Sequence, residues 1–269
     1  MLGAIIGDIV GSRWEFEPTN DYFFELFSDE NSFTDDTICT VAVADALLKG
    51  RDYGECIHEW CNRYPYPMGG YGGRFAQWVH SEHPEPYNSF GNGAAMRVSP
   101  VAMWFESIDE VREQAKLTAA CSHNHPEGLR GAATVAGAIN MAIRHCKGKS
   151  KNKFMAMLIA LEVARYYKYN IIDIKKKDVQ NKFDETCQGT VPVALWIISE
   201  SGSFEDAIRK AVSLGADADT LGAIVGSIAE HIWGIPKVIK EKALSYLPDE
   251  MRTVVKDFYS HFHNINNKE

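Results

Sequence analysis

Asp217-Ala218-Asp219-Thr220-Leu221-Gly222-Ala223-Ile224-Val225-Gly226-Ser227-Ile228-Ala229 joins an acidic, hydroxyl-bearing opening to a run of small and aliphatic residues. Apolar spacing of helical period covers 220–232, and side chains this small let helix axes approach closely, which predicts a central, buried helix. The opening is just as constrained. Residues two apart in a continuing helix point about 200° away from each other, so Asp217 and Asp219 face a common partner only from a helix start. Gly131-Ala132-Ala133-Thr134-Val135-Ala136-Gly137-Ala138 has the same small-residue character and predicts a second central helix.

Working outward, helical spacing recurs at Ile38, Val41, Ala42, Ala44, Asp45 and Leu48, where only the aspartate interrupts the apolar stripe. It recurs over 111–120, 129–143, 154–167, 192–199, 204–214 and 236–247, while few runs alternate with period two. The fold class is therefore all-α. With 269 residues and 45% apolar content the chain can bury one substantial core, so a single compact domain over 1–269 is expected. Segments 147–153 and 171–188 read as surface connections within it, and 264–269 as a frayed tail.

A net charge of −8, with no long block of like charge, argues against general nucleic-acid binding or an anionic lipid surface and suits a cationic partner. Six scattered cysteines without a Cys-x-x-Cys pair form neither a zinc framework nor a disulfide scaffold, and read as buried thiols of a reducing cytosol. The opening run 1–6 lacks a basic flank and meets Asp8 too soon for a signal peptide or membrane span. A cytoplasmic monomer is the expectation.

Thr34-Asp35-Asp36-Thr37 repeats the chemistry of 217–220 far away in sequence, again ahead of an apolar helical run. Taken singly, each cluster reads as an ordinary helix cap. Together, four carboxylates and the hydroxyls of Thr34 and Thr220 offer only hard oxygen donors, which suit magnesium, manganese or calcium and not zinc or copper. Converging helix starts would make a binuclear site, and their mutual repulsion would demand cations.

Three further stretches gain meaning only in company. Ser89-Phe90-Gly91-Asn92-Gly93-Ala94-Ala95-Met96-Arg97 is a glycine loop entering a helical segment, suited to phosphate or simply a turn. Gly69-Gly70-Tyr71-Gly72-Gly73 is a ligand-gripping loop or a flexible corner, and Ser122-His123-Asn124-His125-Pro126 reads as a capped polar turn and not a zinc site. Glu15, after Gly7-Asp8-Ile9-Val10-Gly11, holds a water or sugar hydroxyl, or lies on the surface.

Taken in order, Gly7-Asp8 to Glu15, Phe33 to Thr37, Gly70-Tyr71-Gly72, Gly91-Asn92-Gly93 through Arg97, His123 and Gly215-Ala216-Asp217-Ala218-Asp219-Thr220 resemble the ADP-ribosylglycohydrolase family. That resemblance implies an orthogonal multi-helix fold with a binuclear metal centre. It implies two Mg2+, or Mn2+, bound by Thr34, Asp35 and Asp36 from one side and by Asp217, Asp219 and Thr220 from the other. Glu15 would sit over the reacting ribose, with Asp36 and Asp219 as the other catalytic carboxylates. Ser89, Gly91, Asn92, Gly93 and Met96 would line the pyrophosphate and ribose, Phe90 would stack on adenine, and His123 would contact substrate. Gly70, Tyr71 and Gly72 would close over the distal ribose.

The implied activity is metal-dependent hydrolysis of the bond joining ADP-ribose to a protein side chain or a small-molecule acceptor. The absence of a carboxylate in 64–73 to face a guanidinium counts against arginine as that acceptor. Two rivals remain. A terpenoid-synthase-like enzyme would want Asp-Asp-x-x-Asp, whereas Asp35-Asp36 is followed by Thr37-Ile38-Cys39. A non-catalytic ADP-ribose-binding relative would keep the fold without turnover.

Overall fold

Gly3, Gly7 and Gly11 lie one helical turn apart along α1 (Leu2–Gly11), and Gly226, Gly222 and Ala218 recur at the same interval along α13 (Ala218–Trp233). The two helices run antiparallel with these positions face to face. A Cβ placed on Gly3, Gly7 or Gly11 would overlap the carbonyl of Gly226, Gly222 or Ala218 respectively. The backbones therefore touch directly, and both helices are buried on nearly every side, as their apolar composition requires.

The computed structural model describes residues 1–146 and 152–266, with side chains described through 263. Between α1 and α13 the chain forms α2 (Asp35–Lys49), α3 (Tyr53–Arg63), α4 (Gly73–Val79), α5 (Gly93–Met96), α6 (Ser99–Trp104), α7 (Ile108–Ala120), α8 (Pro126–Cys146), α9 (Lys153–Tyr167), α10 (Lys176–Val179), α11 (Cys187–Glu200) and α12 (Phe204–Val212). The helices α14 (Lys237–Leu244) and α15 (Asp249–Asn266) follow. Among the described residues no strand forms; a single antiparallel bridge pairs Gly91 with Thr186.

Around the central pair, α8, α11 and α12 pack on α13, while α2 and α14 pack on α1. The buried apolar side chains form one contiguous core running from α1 to α15. Small residues again set the closest approaches: Gly131 of α8 faces Cys187 of α11, and Gly137 faces the Tyr167 ring of α9. The start of α1 is deeply buried, yet its amides are satisfied. Leu2 donates to the Tyr259 hydroxyl of α15 at 2.9 Å, and Gly3 donates to Glu230 of α13 at 2.8 Å.

Several elements differ from the sequence reading. The helix α11 begins at Cys187, five residues before Pro192, because Thr186 caps it by accepting from the Gly189 amide at 3.0 Å. The stretch 171–188 is thus not wholly a connection, and it also contains α10. The helices α3, α4, α6 and α15 were not read; α15 buries Met251, Val255 and Phe258 at helical spacing and continues to Asn266, so 264–266 is helical and not frayed. Residues 147–151 and 267–269, which fall in the two remaining segments expected to be surface connection and tail, lie outside the described residues.

Replacing Gly7 by alanine must push α1 and α13 apart, and a loss of about 3 kcal/mol or more is expected in denaturant unfolding. Gly50 ends α2 with φ +62 in open space. Gly50→Ala should therefore cost only the left-handed backbone penalty, about 1–2 kcal/mol.

Candidate active site

The antiparallel glycine contact brings the C-terminal end of α1 to the N-terminal end of α13, and the Asp8 carboxylate then draws in a third helix end. Asp8 is fully buried. It accepts from the Thr34 amide at 3.0 Å, the Thr34 hydroxyl at 2.7 Å, the Thr37 amide at 3.1 Å and the Thr37 hydroxyl. Four donors at the opening turn of α2 are held by one side chain, which fixes where Asp35 and Asp36 stand. Thr37 consequently turns away from the cleft. Beyond α1, a single 3-10 turn at Ser12–Trp14 carries the chain to Glu15.

Asp35 and Asp36 start α2, Asp217 caps α13, and Asp219 lies in its first turn, so both acidic clusters occupy helix starts. Oxygens of Glu15, Asp217 and Asp219 lie within 4.8 Å of one another. The Thr220 hydroxyl donates to Asp36 across the cluster at 3.0 Å, joining its two halves. Within this cluster three buried carboxylate oxygens meet no donor: Glu15 Oε2, Asp36 Oδ1 and Asp219 Oδ1. Orphaned, anionic and hard, they fit a divalent cation of the magnesium type.

The protonation behaviour states the same imbalance. Burial, followed by the charge of Asp219, pushes the Asp8 carboxyl up to about 7 and that of Glu15 up to about 9. Burial and Asp219 likewise hold Asp35, Asp36 and Asp217 well above the usual carboxylate range, and burial raises Asp219 itself. Without added positive charge the cluster keeps protons that exposed carboxyls would release.

The carboxylates form the floor of a cleft of about 400 Å3. One wall is 69–72, where Gly69 and Gly70 adopt φ of +78 and +79. A Cβ on Gly69 would strike Glu15 Oε2, so this glycine leaves room for the glutamate. Tyr71 lines the same wall and is anchored through its hydroxyl to the carbonyls of Cys61 at 3.0 Å and Tyr64 at 2.7 Å. The opposite wall is the loop 89–93. Its amide at Asn92 donates to the Glu185 carbonyl at 2.7 Å, and the Asn92 side chain donates to Asp217 at 2.6 Å and to Thr190 at 3.1 Å. His123 closes the base of this wall.

Of the residues anticipated from sequence, Glu15, Gly70, Tyr71, Gly72, Ser89, Gly91, Asn92, Gly93, Met96, His123, Asp35, Asp217, Asp219 and Thr220 all line the cleft. Thr34 and Asp36 belong to that floor but are buried beneath its lining residues, the Thr34 hydroxyl donating to Asp8 and Asp36 accepting from Thr220. Phe90 does not line the cleft; its ring is 41% exposed and packs edge-on against His125 at 5.2 Å. Sequence reading missed Asp8 as an anchor, although its position one turn before Ser12 in an otherwise apolar helix marks a buried charge in need of partners. It also missed Phe16, Arg74 and Glu185, which are single residues without a local pattern, and it gave no role to Arg97 at the end of the stretch 89–97.

Fold and site together define an all-helical protein built around a cluster of buried carboxylates at the floor of a glycine-walled cleft. The family profile described as ADP-ribosylglycohydrolase matches residues 1–267, and the chain belongs to that family. It is 23% identical to ADP-ribosylhydrolase ARH3 of Danio rerio, over 88% of this chain and 82% of that protein. It is 26% identical to ADP-ribosylarginine hydrolase Tri1 of Pseudomonas putida (strain GB-1), over 87% of this chain and 70% of that one. A solved structure titled ADP-ribosylglycohydrolase-related protein complex superposes with a TM-score of 0.72, at 24% identity and 97% coverage of each chain. No helix among the described residues is long and apolar enough to cross a membrane.

The raised carboxyls fix the sign of a pH effect. Each binds its proton more tightly in the fold than in the unfolded chain, where carboxyls titrate near about 4. Their contribution is complete below that value and is lost as pH rises through the folded values, about 7 at Asp8 and about 9 at Glu15. Melting temperature of chelator-treated protein is expected to fall across that window, and saturating magnesium to raise it most at the alkaline end. A profile unmoved by magnesium would contradict a cation site.

Proposed function

We propose that this chain, acting as one domain, hydrolyses the glycosidic bond that joins ADP-ribose to an acceptor and releases free ADP-ribose. Family membership supports the substrate, and the observation that carries the reading is the trio of donorless carboxylate oxygens on the cleft floor. Asp35 and Asp36 with Thr34, and Asp217 and Asp219 with Thr220, would hold two Mg2+ or Mn2+ ions. Bound there, divalent cations would offset carboxylate and pyrophosphate charge, fix ribose hydroxyls and favour deprotonation of water.

The chain's own groups complete the chemistry. Glu15 lies at the mouth of the carboxylate cluster, where with cations bound its carboxylate is placed to take a proton from water as the water oxygen attacks the anomeric carbon. As that bond forms, the bond from the anomeric carbon to the acceptor nitrogen or oxygen breaks through an oxocarbenium-like state, and the leaving atom takes up a proton. Arg74 and Arg97 line the cleft and complement the anionic diphosphate. Phe90, exposed beyond the cleft beside His125, is available to a flat base.

On the outer rim Glu185 supplies the carboxylate that 64–73 lacks, and the exposed rings of Phe16 and Phe183 stand 6.3 Å apart beside the mouth. A carboxylate and aromatic faces suit a cationic guanidinium, which favours an arginine-linked substrate.

Release of ADP-ribose from arginine-, serine- and nucleic-acid-linked conjugates, with magnesium and with chelator, tests the proposal. Magnesium-dependent release is expected, strongest for arginine. Glu15→Gln should lower kcat by roughly 100-fold or more, a typical general acid–base contribution. ADP-ribose binding without release from any conjugate would establish a binding-only protein instead.

A further inference from the structure

His123 is almost wholly buried at the base of the glycine wall, and the side chains behind it leave little freedom for its protons. Its Nδ1 lies 2.8 Å from the Ser122 hydroxyl. That hydroxyl also lies 2.9 Å from Arg97 Nη2. Arginine only donates, so Ser122 Oγ accepts from Arg97, and its single hydrogen is left for one further partner. The candidates are His123 Nδ1 at 2.8 Å and the Cys121 sulfur at 3.8 Å, a much poorer acceptor. Were Nδ1 to carry the proton, the serine hydrogen would have only that sulfur. With Nδ1 as acceptor both the serine hydrogen and that ring nitrogen are satisfied.

We propose that Arg97 and Ser122 are positioning residues that lock His123 as the neutral tautomer protonated on Nε2, giving the cleft a fixed N–H donor for a ligand oxygen. The direction of that donor follows from packing. A Cβ on Gly93 or Gly91 would lie 3.2 or 3.3 Å from Nε2, so the nitrogen faces the glycine loop that lines the cleft. The rings of Phe75 and Tyr87, 6.1 and 5.8 Å away, flank the imidazole and oppose its rotation. Arg97 is fully buried, and its Nε and Nη1 have no partner, so its charge is poorly compensated beside the ring. Burial first, and then this guanidinium, hold the imidazole pKa well below its ordinary value, which keeps the ring neutral.

A neutral Nε2–H recognises an acceptor oxygen, such as a phosphoryl or sugar oxygen, and has no lone pair with which to abstract a proton. His123 is thereby a recognition group and not the base of the reaction. That the oxygen belongs to ADP-ribose rests on the function proposed above; the tautomer does not.

Long-range proton–nitrogen NMR correlations of the uniformly 15N-labelled full chain read the tautomer directly. The chain has nine histidines, and the His123 signals are identified by their loss in His123→Gln. The expected pattern is a protonated Nε2 and an unprotonated Nδ1, unchanged from about pH 5 to about pH 8, where an ordinary histidine changes charge. Ser122→Ala should give mixed tautomers and weaken ADP-ribose binding about tenfold in calorimetry, the worth of one hydrogen bond. Ser122→Thr, which keeps the hydroxyl, should restore both. A protonated Nδ1 in the unaltered chain, or a pure Nε2–H tautomer surviving in Ser122→Ala, overturns the proposal. Should Ser122→Ala fail to fold, the spectrum of the unaltered chain decides alone. A correct tautomer in a chain that does not bind ADP-ribose would count against the proposed function and leave this assignment standing.

Discussion

Direct backbone contact between two antiparallel helices governs the molecule. Where Gly3, Gly7 and Gly11 meet Gly226, Gly222 and Ala218, no side chain separates α1 from α13. Such closeness yields little apolar area per residue, and glycine inside a helix costs about 1 kcal/mol relative to alanine. What it secures is distance: the last turn of α1 and the first turn of α13 stand near enough for Asp8 and Glu15 to join the oxygen donors at the starts of α2 and α13. The surrounding helices supply the apolar burial that the central pair forgoes.

Asp8 shows how a buried charge is made tolerable. It meets four donors from Thr34 and Thr37, so the opening of α2 serves as its solvent. Glu15, Asp36 and Asp219 each keep an oxygen that meets no such donor. The contrast separates structural carboxylates from those left for a ligand, although all four are acidic residues in the same few turns. Proximity in sequence or space would not have told them apart; the tally of donors does.

The helical character of the chain and the two acidic helix starts were legible because both rest on local rules: apolar period, cap chemistry and the 200° separation of residues two apart. Legible for the same reason were the small-residue helices 131–138 and 221–229, both of which are buried. The helices α3 and α15 escaped because their buried faces are narrow and interrupted by charge, so that Trp60 or Phe258 reads as scattered aromatic content until its neighbours are known. At the site, glycines and aspartates announced themselves as clusters. Arg97 and Glu185 did not, since each owes its place to contacts made by segments distant in sequence. Phe90, which the family resemblance assigns to stacking on adenine, stands between two cleft-lining neighbours, Ser89 and Gly91, and is itself turned outward by the backbone.

The single bridge between Gly91 and Thr186 fastens the glycine wall to the segment that precedes α11. Upstream of that clasp, Phe183, Asp184 and Glu185 are exposed, but their backbone is tied inward: the Glu185 carbonyl accepts from the Asn92 amide at 2.7 Å, the Asp184 carbonyl accepts from the Thr190 hydroxyl at 2.8 Å, and the Asn181 amide reaches the Leu214 carbonyl at 2.9 Å. The backbone of this stretch is therefore joined through Asn92 and Thr190 to Asp217 on the floor, while the side chains of Phe183 and Glu185 face outward. Changes of length there would disturb the carboxylate cluster, whereas changes of those two side chains leave its hydrogen bonds in place. Under the function proposed here, the rim side chains at Phe183 and Glu185 are positions where the acceptor could be chosen without altering the residues that form the floor.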